Sequence, residues 1–218
     1  MKLVSVNCGL PREVDWHGTS VSTSIYKTPV AGRIALRRLN LDGDRQADLT
    51  VHGGKDKAVY CYPVEHYDYW KAALSRSELS MGAFGENFTV EGLEESKLLI
   101  GERFSIGSAE LVVTQPRMPC FKLGIRFGSD RIIRDFLRSG RTGFYLAVVR
   151  EGEVGAGDEV VRLNQPSDSV SVSEITQLYV AKRFAQDDLE TVRRTLTIEA
   201  LPGSWKEYFE QKLQRLGA

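Results

Sequence analysis

The chain has 218 residues, 42% of them hydrophobic and 27% charged, which is the composition of an ordinary globular protein with one sizeable core. Its 29 Lys and Arg residues cancel its 29 Asp and Glu residues, so no bulk charge favours a nucleic-acid polymer or an anionic membrane. Three widely spaced cysteines are poor material for a disulfide framework and suit a reducing compartment. Because no signal peptide or membrane span is recognisable, the sequence predicts a cytoplasmic protein.

Short apolar or alternating runs fill residues 1–164 and are separated by turns such as DGD and HGG. Their β-branched and aromatic content predicts strands of a largely antiparallel sheet or barrel. In chain order the runs are KLVSVN, GRIALRRLNL, AVYCYP, ENFTV, RFSIG, AELVVTQ, FYLAVVREG and DEVVRLN. Two helices are predicted among them. The one in PVEHYDYWKAAL has Pro63 as its first residue, and the one in SDRIIRDFLRSG ends at Gly140.

A linker is predicted at NQPSDSV, residues 164–170, after which the composition changes. Three short helices and no strand are predicted beyond it, and the second has Asp187 and Glu190 at capping-box spacing. Three such helices bury little alone, so we expect them to dock on the β domain or on another subunit. The fold class predicted is therefore mainly β with helices (α+β), with a β domain over 1–164 and three helices over 170–218.

The stretch TQPRMPCFKL places Cys120 directly after a proline, at the polar exit of a predicted strand. A thiolate attacks electrophiles and binds metals, and neighbouring cations favour its formation. Arg117 and Lys122 would supply that positive field. A buried cysteine that packs as a small hydrophobe is the alternative. The other two cysteines lie inside apolar runs, where packing is the favoured interpretation.

Two further segments carry candidate anion contacts. In TVHGGKDKAVY, His52 precedes Gly53 and Gly54, whose bare backbone would let N–H groups approach an anion. A plain glycine turn between strands is the alternative. Lys27, at the entrance to a predicted strand, is a candidate phosphate contact or else a solvated surface lysine.

Polar residues in FGENF form another candidate group. Asn87 can both donate and accept, as recognition of a heterocycle edge requires, and Glu86 precedes it. An Asx turn is the alternative. The helically spaced arginines from Arg131 to Arg141 are predicted to form a solvated face, with partner docking as the alternative.

Six motifs in order resemble the MOSC superfamily, named for the C-terminal domain of molybdenum cofactor sulfurase. They are GDRQAD at 43–48, VHGGKDKAVY at 51–60, FGENF at 84–88, IGERFSIG at 100–107, QPRMPC at 115–120 and GFYLAVVREGEVGAGDEV at 143–160. The helical tail is similar to the three-helix extension of the YiiM-type members. The resemblance thus implies a MOSC-type β-barrel followed by that extension.

The resemblance also implies a function, which is binding of the molybdenum–pterin cofactor and reduction of N-hydroxylated compounds. Substrates such as 6-hydroxylaminopurine would make the protein a detoxifier of base analogues. Cys120 matches the family cysteine proposed as molybdenum ligand, and is the implied catalytic residue. The residues implied to hold the cofactor are Lys27, His52, Gly53, Gly54, Glu86, Asn87, Arg117 and Lys122.

Physical chemistry agrees with this implication. Cleaving an N–O bond takes two electrons, which no ordinary side chain cycles, so a cofactor must supply them. The chain has no cysteine run for an iron–sulfur cluster, so the expected partners are a small N-hydroxylated substrate and a separate electron-donating reductase. Neither a nucleic-acid polymer nor a membrane is expected as a partner, and a homodimer is left open. Two alternatives stay open: a sulfur carrier with a persulfide on Cys120, and a non-catalytic module that binds the cofactor.

Overall fold

The computed structural model describes residues 1–48 and 53–216. Twelve strands and six α-helices are assigned within this part of the chain. The strands are β1 (Lys2–Cys8), β2 (Arg12–Trp16), β3 (Thr19–Thr23), β4 (Thr28–Pro29), β5 (Arg33–Leu36), β6 (Val59–Pro63), β7 (Phe88–Glu91), β8 (Arg103–Ile106), β9 (Ala109–Pro116), β10 (Phe144–Arg150), β11 (Gly152–Gly155) and β12 (Val160–Asn164). The helices are α1 (His66–Ala73), α2 (Phe121–Phe127), α3 (Arg131–Ser139), α4 (Val172–Val180), α5 (Gln186–Thr197) and α6 (Gly203–Leu216). None of the helices in the described ranges is long and apolar enough to cross a membrane.

Eight strands form one mixed sheet in the order β12-β8-β9-β10-β6-β7-β1-β4. The β6–β7 pair is parallel and the other neighbouring pairs are antiparallel. The sheet closes on itself because the Leu3 N–H donates to the Asp158 carbonyl at 2.9 Å and the Val160 N–H donates to the Met1 carbonyl at 3.0 Å. Such closure removes exposed sheet edges. The predicted fold class, a β-barrel with helices followed by a three-helix region, is confirmed.

The barrel interior is built by strands whose residues alternate between core and surface. In β10, Phe144, Leu146 and Val148 are buried while the residues between them are partly exposed. Successive side chains of a strand point to opposite faces, so this alternation fills one side with apolar groups. The same core includes Leu111 and Val113 of β9, the strand paired with β10.

The predicted helix start at Pro63 is wrong. Pro63 is the last residue of β6 and pairs with Val90 of the parallel strand β7, so the extended backbone continues through it. The Val64 N–H then donates to the Val90 carbonyl at 2.8 Å, and α1 begins only at His66. Parallel pairing, which the local sequence does not reveal, outweighs the preference of proline for a helix start.

Several short elements were not predicted: the β2–β3 hairpin, β4, β11 and α2. The hairpin is polar and joins its strands by the two residues His17 and Gly18, both with positive φ (52° and 77°). Two-residue hairpin turns need positive φ, which glycine adopts readily, so this glycine was a usable signal. Helix α2 has only seven residues, too few for a clear helical period.

The predicted capping box at Asp187 and Glu190 is also wrong. Helix α5 begins at Gln186, and the carboxylate of Asp188 accepts from the N–H of Ala185 at 2.7 Å. The helix therefore starts two positions earlier than predicted, and Asp188 takes the place predicted for Glu190. The reason is that the chain enters the helix earlier than the hydrophobic period suggests.

The three C-terminal helices pack on the barrel. Ile175, Val192 and Phe209, one from each helix, are fully buried in the same apolar cluster as the barrel strands. The indole N–H of Trp205 in α6 donates to Gln115 Oε1 of β9 at 2.5 Å. The tail and the barrel therefore share one core, and a buried hydrogen bond joins them.

Trp205→Phe should lower the free energy of unfolding by about 1–3 kcal/mol, since it leaves the buried Gln115 amide oxygen without its donor. The measurement is chemical denaturation of the full chain. Tyr69→Phe, which removes an exposed hydroxyl, is the control and should change stability by less than about 0.5 kcal/mol. Equal stability of the two variants would show that the indole bond contributes nothing.

Candidate active site

A cavity open to solvent lies where α2 meets the end of the barrel. Its wall is drawn from segments far apart in sequence, among them the loop after β3, the Gly-rich loop before β6 and the segment that joins β9 to α2. Six residues predicted from the sequence share this wall. They are Lys27, Gly53, Asn87, Arg117, Cys120 and Lys122.

Cys120 is held at the junction between strand and helix. Strand β9 ends at Pro116, and Cys120 caps the start of α2 with extended backbone (φ −118°, ψ 174°). Its carbonyl accepts from the Leu123 N–H at 2.9 Å, and its side chain is half-buried in the cavity wall. A thiol in this position is supported by fixed backbone and is reachable by a ligand.

The other two cysteines, Cys8 and Cys61, are buried in the core, which agrees with the prediction that they serve packing. Burial, followed by the nearby Asp44 carboxylate, raises the pKa of Cys8 to about 11. Burial also raises the pKa of Cys61 well above its ordinary value. Both stay protonated at neutral pH, and neither is among the described lining residues of the cavity. Reactive thiol chemistry therefore centres on Cys120.

Arg117 places a permanent cation in the wall beside this thiol. Its guanidinium carbon lies 5.1 Å from the Tyr60 ring centre and 5.2 Å from that of Phe136, and the residue is buried. Its Nη1 atom has no hydrogen-bond partner among the described residues. Burial lowers the pKa of Arg117, but the opposing influence of Tyr60, Tyr145 and Cys120 raises it above its usual value overall. The buried charge is thus coupled to the thiol and has spare donor capacity.

Gly143 fixes the backbone of Arg117. The Arg117 N–H donates to the Gly143 carbonyl at 3.1 Å, and the Gly143 N–H donates to Glu95 Oε1 at 2.7 Å. Gly143 has φ +69°, and a Cβ atom there would lie 2.4 Å from the Cys61 carbonyl oxygen. Only glycine fits this site, because a side chain would clash with β6.

Two lysines of the cavity differ in how their charge is balanced. Lys27 is buried and forms an ion pair with the buried carboxylate of Asp44. Asp44 also accepts from the Gly9 N–H at 2.8 Å and from Asn87 Nδ2 at 2.9 Å. Lys122 is buried too, yet within the described ranges it has neither a hydrogen-bond nor an ion-pair partner. Of the two, Lys122 therefore offers the uncompensated charge.

The FGENF residues support the wall in different ways. Asn87 lines the cavity, but its side chain also binds protein atoms, since Oδ1 accepts from the Tyr60 N–H at 3.2 Å. Glu86 is completely buried and is not among the described lining residues. It accepts from Tyr67 Oη, the Gly82 and Phe84 N–H groups and Thr89 Oγ1.

Burial raises the pKa of Glu86, although its four donors favour the charged form. Contact between Glu86 and a cofactor, which the sequence suggested, finds no support in this geometry. Its carboxylate joins the loop N–H groups of Gly82 and Phe84 to Tyr67 of α1 and Thr89 of β7. The structure places Glu86 as a support for the wall.

The Gly-rich loop is described from Gly53 onward. Gly53 lines the cavity with φ +98°. Gly54, with φ +85°, is not a described lining residue, and precedes a 3-10 turn in which its carbonyl accepts from the Lys57 N–H at 3.1 Å. His52, the other residue predicted here, lies outside the described residues.

Sequence reasoning missed several lining residues that matter for chemistry. They are Arg45, Lys57, Tyr60, Phe84 and Tyr145. All five lie inside the quoted motifs GDRQAD, VHGGKDKAVY, FGENF and GFYLAVVREGEVGAGDEV, but tyrosine in a strand is an ordinary packing residue. Burial raises the pKa of Tyr145, so its phenol keeps its proton at neutral pH. Aromatic rings and one available hydroxyl thus complete the cavity.

The cavity therefore combines a reachable thiol, unmatched positive charge and aromatic walls. A thiolate is a soft metal ligand. Arg117 Nη1 and Lys122 offer donors that no described carboxylate occupies, which suits an anionic group such as a phosphate. The rings of Tyr60 and Tyr145, whose centres lie 5.5 Å apart with a tilt of 43°, form an aromatic surface in the wall.

Comparison with known proteins identifies the family of the chain. The model of the MOSC domain matches residues 48–161, and the model of the YiiM-like 3-alpha helix domain matches residues 170–216. Protein YflK of Bacillus subtilis (strain 168) is 40% identical over 217 residues, covering 98% of this chain and 95% of that protein. Protein YiiM of Escherichia coli (strain K12) is 35% identical, covering 87% of this chain and 84% of that protein.

A fungal protein and a solved structure extend the comparison. A protein named Reductase from Gibberella moniliformis (strain M3125 / FGSC 7600) is 30% identical over 77% of this chain, which spans 30% of that protein. The crystal structure of YiiM from Geobacillus stearothermophilus superposes with a TM-score of 0.80 at 31% identity, covering 97% of this chain and 98% of that one. The chain belongs to the MOSC-domain family and carries the YiiM-like three-helix domain at its C-terminal end.

Proposed function

We propose that this protein is an oxidoreductase that binds a molybdenum–pterin cofactor beside Cys120 and reduces N-hydroxylated compounds, including nucleobases such as 6-hydroxylaminopurine. The observation that carries the proposal is a half-buried thiol that shares one cavity with the buried Arg117 and with Lys122, which has no described partner. Membership of the MOSC family supports the choice of cofactor. The name Reductase, given to the fungal relative, supports the reaction class.

The residues present fit such a cofactor by their donor chemistry. Cys120 supplies a soft sulfur ligand for the metal. Lys122 and the orphaned Nη1 of Arg117 supply cationic donors for a phosphate. The rings of Tyr60 and Tyr145 supply apolar walls for the pterin. When bound, the cofactor supplies two-electron redox chemistry that side chains lack.

The chain's own residues then have separate roles. The guanidinium of Arg117 stabilises negative charge on the Cys120 sulfur, since the two groups interact electrostatically. Lys122 and the backbone of Gly53 orient the phosphorylated ligand. The Tyr145 hydroxyl, which keeps its proton, donates a hydrogen bond to the oxygen of the substrate.

The reaction balances with an external electron source. A hydroxylamine R–NHOH takes up two electrons and two protons, its N–O bond breaks, and R–NH₂ and water are released. The electrons come from a separate electron-donating reductase, and the protons come from solvent through the open side of the cavity. This partner is part of the proposal.

The proposal is tested by producing the full chain in a cofactor-competent host. Molybdenum and pterin are quantified, and conversion of 6-hydroxylaminopurine to adenine is followed with a flavoprotein reductase as electron donor. Stoichiometric metal and pterin with turnover are expected. Pterin without turnover under any reductant would indicate a binding module instead. Cyanide-releasable sulfur on Cys120 without molybdenum would indicate a sulfur carrier.

Lys122→Gln should lower cofactor retention by about tenfold, the scale of one charge-assisted hydrogen bond. Thermal stability should stay the same or rise, because the substitution removes a buried charge that has no described partner. Pterin per chain after dialysis is the measurement. Lys71→Gln, on the exposed side of α1, is the matched control and should retain the wild-type cofactor content. Equal cofactor content in both variants would remove Lys122 from the binding site.

A further inference from the structure

Three arginines from separate parts of the chain cluster beside the cavity, and we refer to Arg12, Arg76 and Arg126 as the arginine rim. The guanidinium carbons of Arg12 and Arg126 lie 3.4 and 5.2 Å from the centre of the Tyr26 ring. The guanidinium carbon of Arg76 lies 5.3 Å from the centre of the Phe127 ring, the residue after Arg126. The rim thus brings together β2, the segment after α1, and α2.

No acidic side chain in the described part of the protein makes direct contact with the charges of the rim. None of the three guanidinium groups has a hydrogen bond or ion pair with an acidic side chain there, and Arg126 Nε is buried without a hydrogen-bond partner. Burial lowers the pKa of Arg126, and the charges of Arg76 and Arg12 lower it further, against the opposing effects of Tyr26 and Glu86. Like charges held together at the edge of a cavity favour binding of an anion.

The rim is connected to the Cys120 cavity through shared segments. Tyr26 lies between Ile25 and Lys27, both of which line the cavity. On α2, Arg126 follows the lining residue Lys122 by four positions, so both lie on one face of the helix. A ligand in the cavity is therefore within reach of the rim.

A second contact ties the rim to the cavity wall. The ring of Phe127, which Arg76 covers, lies 5.3 Å from the ring of the lining residue Phe84. The three arginines themselves are not among the described lining residues. They are therefore placed to hold a part of a ligand that extends beyond the cavity.

We propose that the arginine rim binds the 5′-phosphate of a nucleotide whose base occupies the cavity, so that N-hydroxylated nucleotides are the preferred substrates. This inference rests on the proposed function. Arginine forks match phosphate oxygens in geometry and charge. Lys122 and Arg117 provide separate cations inside the cavity for the cofactor. The purine nucleotide would take up two electrons and two protons, lose water, and yield adenosine 5′-monophosphate.

Product binding tests the rim without turnover. Adenosine 5′-monophosphate and adenosine are titrated into the cofactor-loaded full chain by calorimetry, and the ratio of their dissociation constants is measured. The monophosphate should bind at least about tenfold more tightly. Arg76→Gln should reduce that ratio by about tenfold, and Arg12→Gln should act likewise. Arg134→Gln, an exposed arginine on α3, is the matched control and should keep the ratio.

Turnover separates this inference from the proposed function. The kcat/KM ratio for 6-hydroxylaminopurine riboside monophosphate over the riboside should be at least about ten in wild type and approach one in Arg76→Gln. Suppose that both substrates are turned over equally well and that the monophosphate binds no more tightly than adenosine. This result would overturn the proposal that the rim binds phosphate and would leave the proposed reductase function in place. A binding preference with no turnover of either substrate would overturn the reductase and leave the rim in place.

Two other outcomes would reassign the arginines. Loss of pterin from Arg76→Gln, measured per chain, would assign the rim to the phosphate of the cofactor and overturn the nucleotide proposal. At limiting reductase, Arg76→Gln could instead lower turnover of both substrates equally, with the ratio of their kcat/KM values unchanged. That result would assign the rim to docking of the electron donor and would also overturn the nucleotide proposal. Wild-type pterin content with a lowered substrate ratio is the supporting result.

Discussion

Cys120→Ser is expected to reduce the rate of N–O bond cleavage by at least about 100-fold. Loss of a residue that only orients a metal ligand lowers activity by up to about 100-fold, and loss of the ligand itself should have at least that effect. A neutral hydroxyl would replace a soft thiolate, and molybdenum bound as proposed would lose its protein ligand. The fold should be retained, because Cys120 is the N-cap residue of α2 and serine is among the best N-cap residues. Turnover of 6-hydroxylaminopurine and the melting temperature are the two measurements.

Cys8→Ala is the control for this experiment. Its thiol is buried and has a pKa raised to about 11 by burial, so it stays protonated and takes no part in the reaction. We expect this variant to lose some stability and to keep its activity. A fully active Cys120→Ser protein would remove the thiol from the mechanism, whereas an unfolded one would show that Cys120 is needed for structure.

Glu86→Ala is expected to lower the free energy of unfolding by about 3–5 kcal/mol, which is the scale for removing one member of a buried charged network. The carboxylate accepts from two backbone N–H groups and two hydroxyls, and the variant removes the acceptor of all four, of which the Tyr67 hydroxyl keeps a longer bond to the Ser80 carbonyl. The loop that places Asn87 in the cavity wall should loosen, so cofactor content should fall as well. Denaturant titration with pterin quantification measures both effects.

Glu91→Ala is the matched control, because Glu91 is exposed at the end of the nearby strand β7. Its stability should lie within about 0.5 kcal/mol of wild type. If Glu86→Ala were equally stable but inactive, Glu86 would have a chemical role of its own, as the sequence first suggested. Wild-type stability and activity together would show that the network is dispensable.

The barrel and part of the site could be predicted because their signals are local. Alternation of apolar residues, as in β10, indicates a half-buried strand without reference to its partners. Arg117, Cys120 and Lys122 are close in sequence and meet in one cavity because a short turn joins β9 to α2. The helix α2 itself was missed because seven residues give too little periodicity.

Other assignments depended on contacts between distant segments. Lys27 was predicted as a phosphate contact, but its partner Asp44 belongs to another loop, so its balanced charge could not be read from the sequence. Glu86 was predicted near the cofactor, yet Tyr67 and Thr89 reach its carboxylate only in the folded protein. The local sequence around a polar residue that follows a glycine is the same whether its side chain lines the cavity or is buried behind the cavity wall.

The hydrogen bond between Trp205 and Gln115 ties the last helix to the strand that delivers Arg117 two residues later. The helical extension therefore supports the strand that leads into the candidate site, and we expect the two parts to depend on each other for correct packing. A chimaera that joins this barrel to a foreign tail would need an indole, or another donor of equal reach, at the same place. Compatibility of the two modules would thus depend on this pair of side chains as well as on the apolar core that they share.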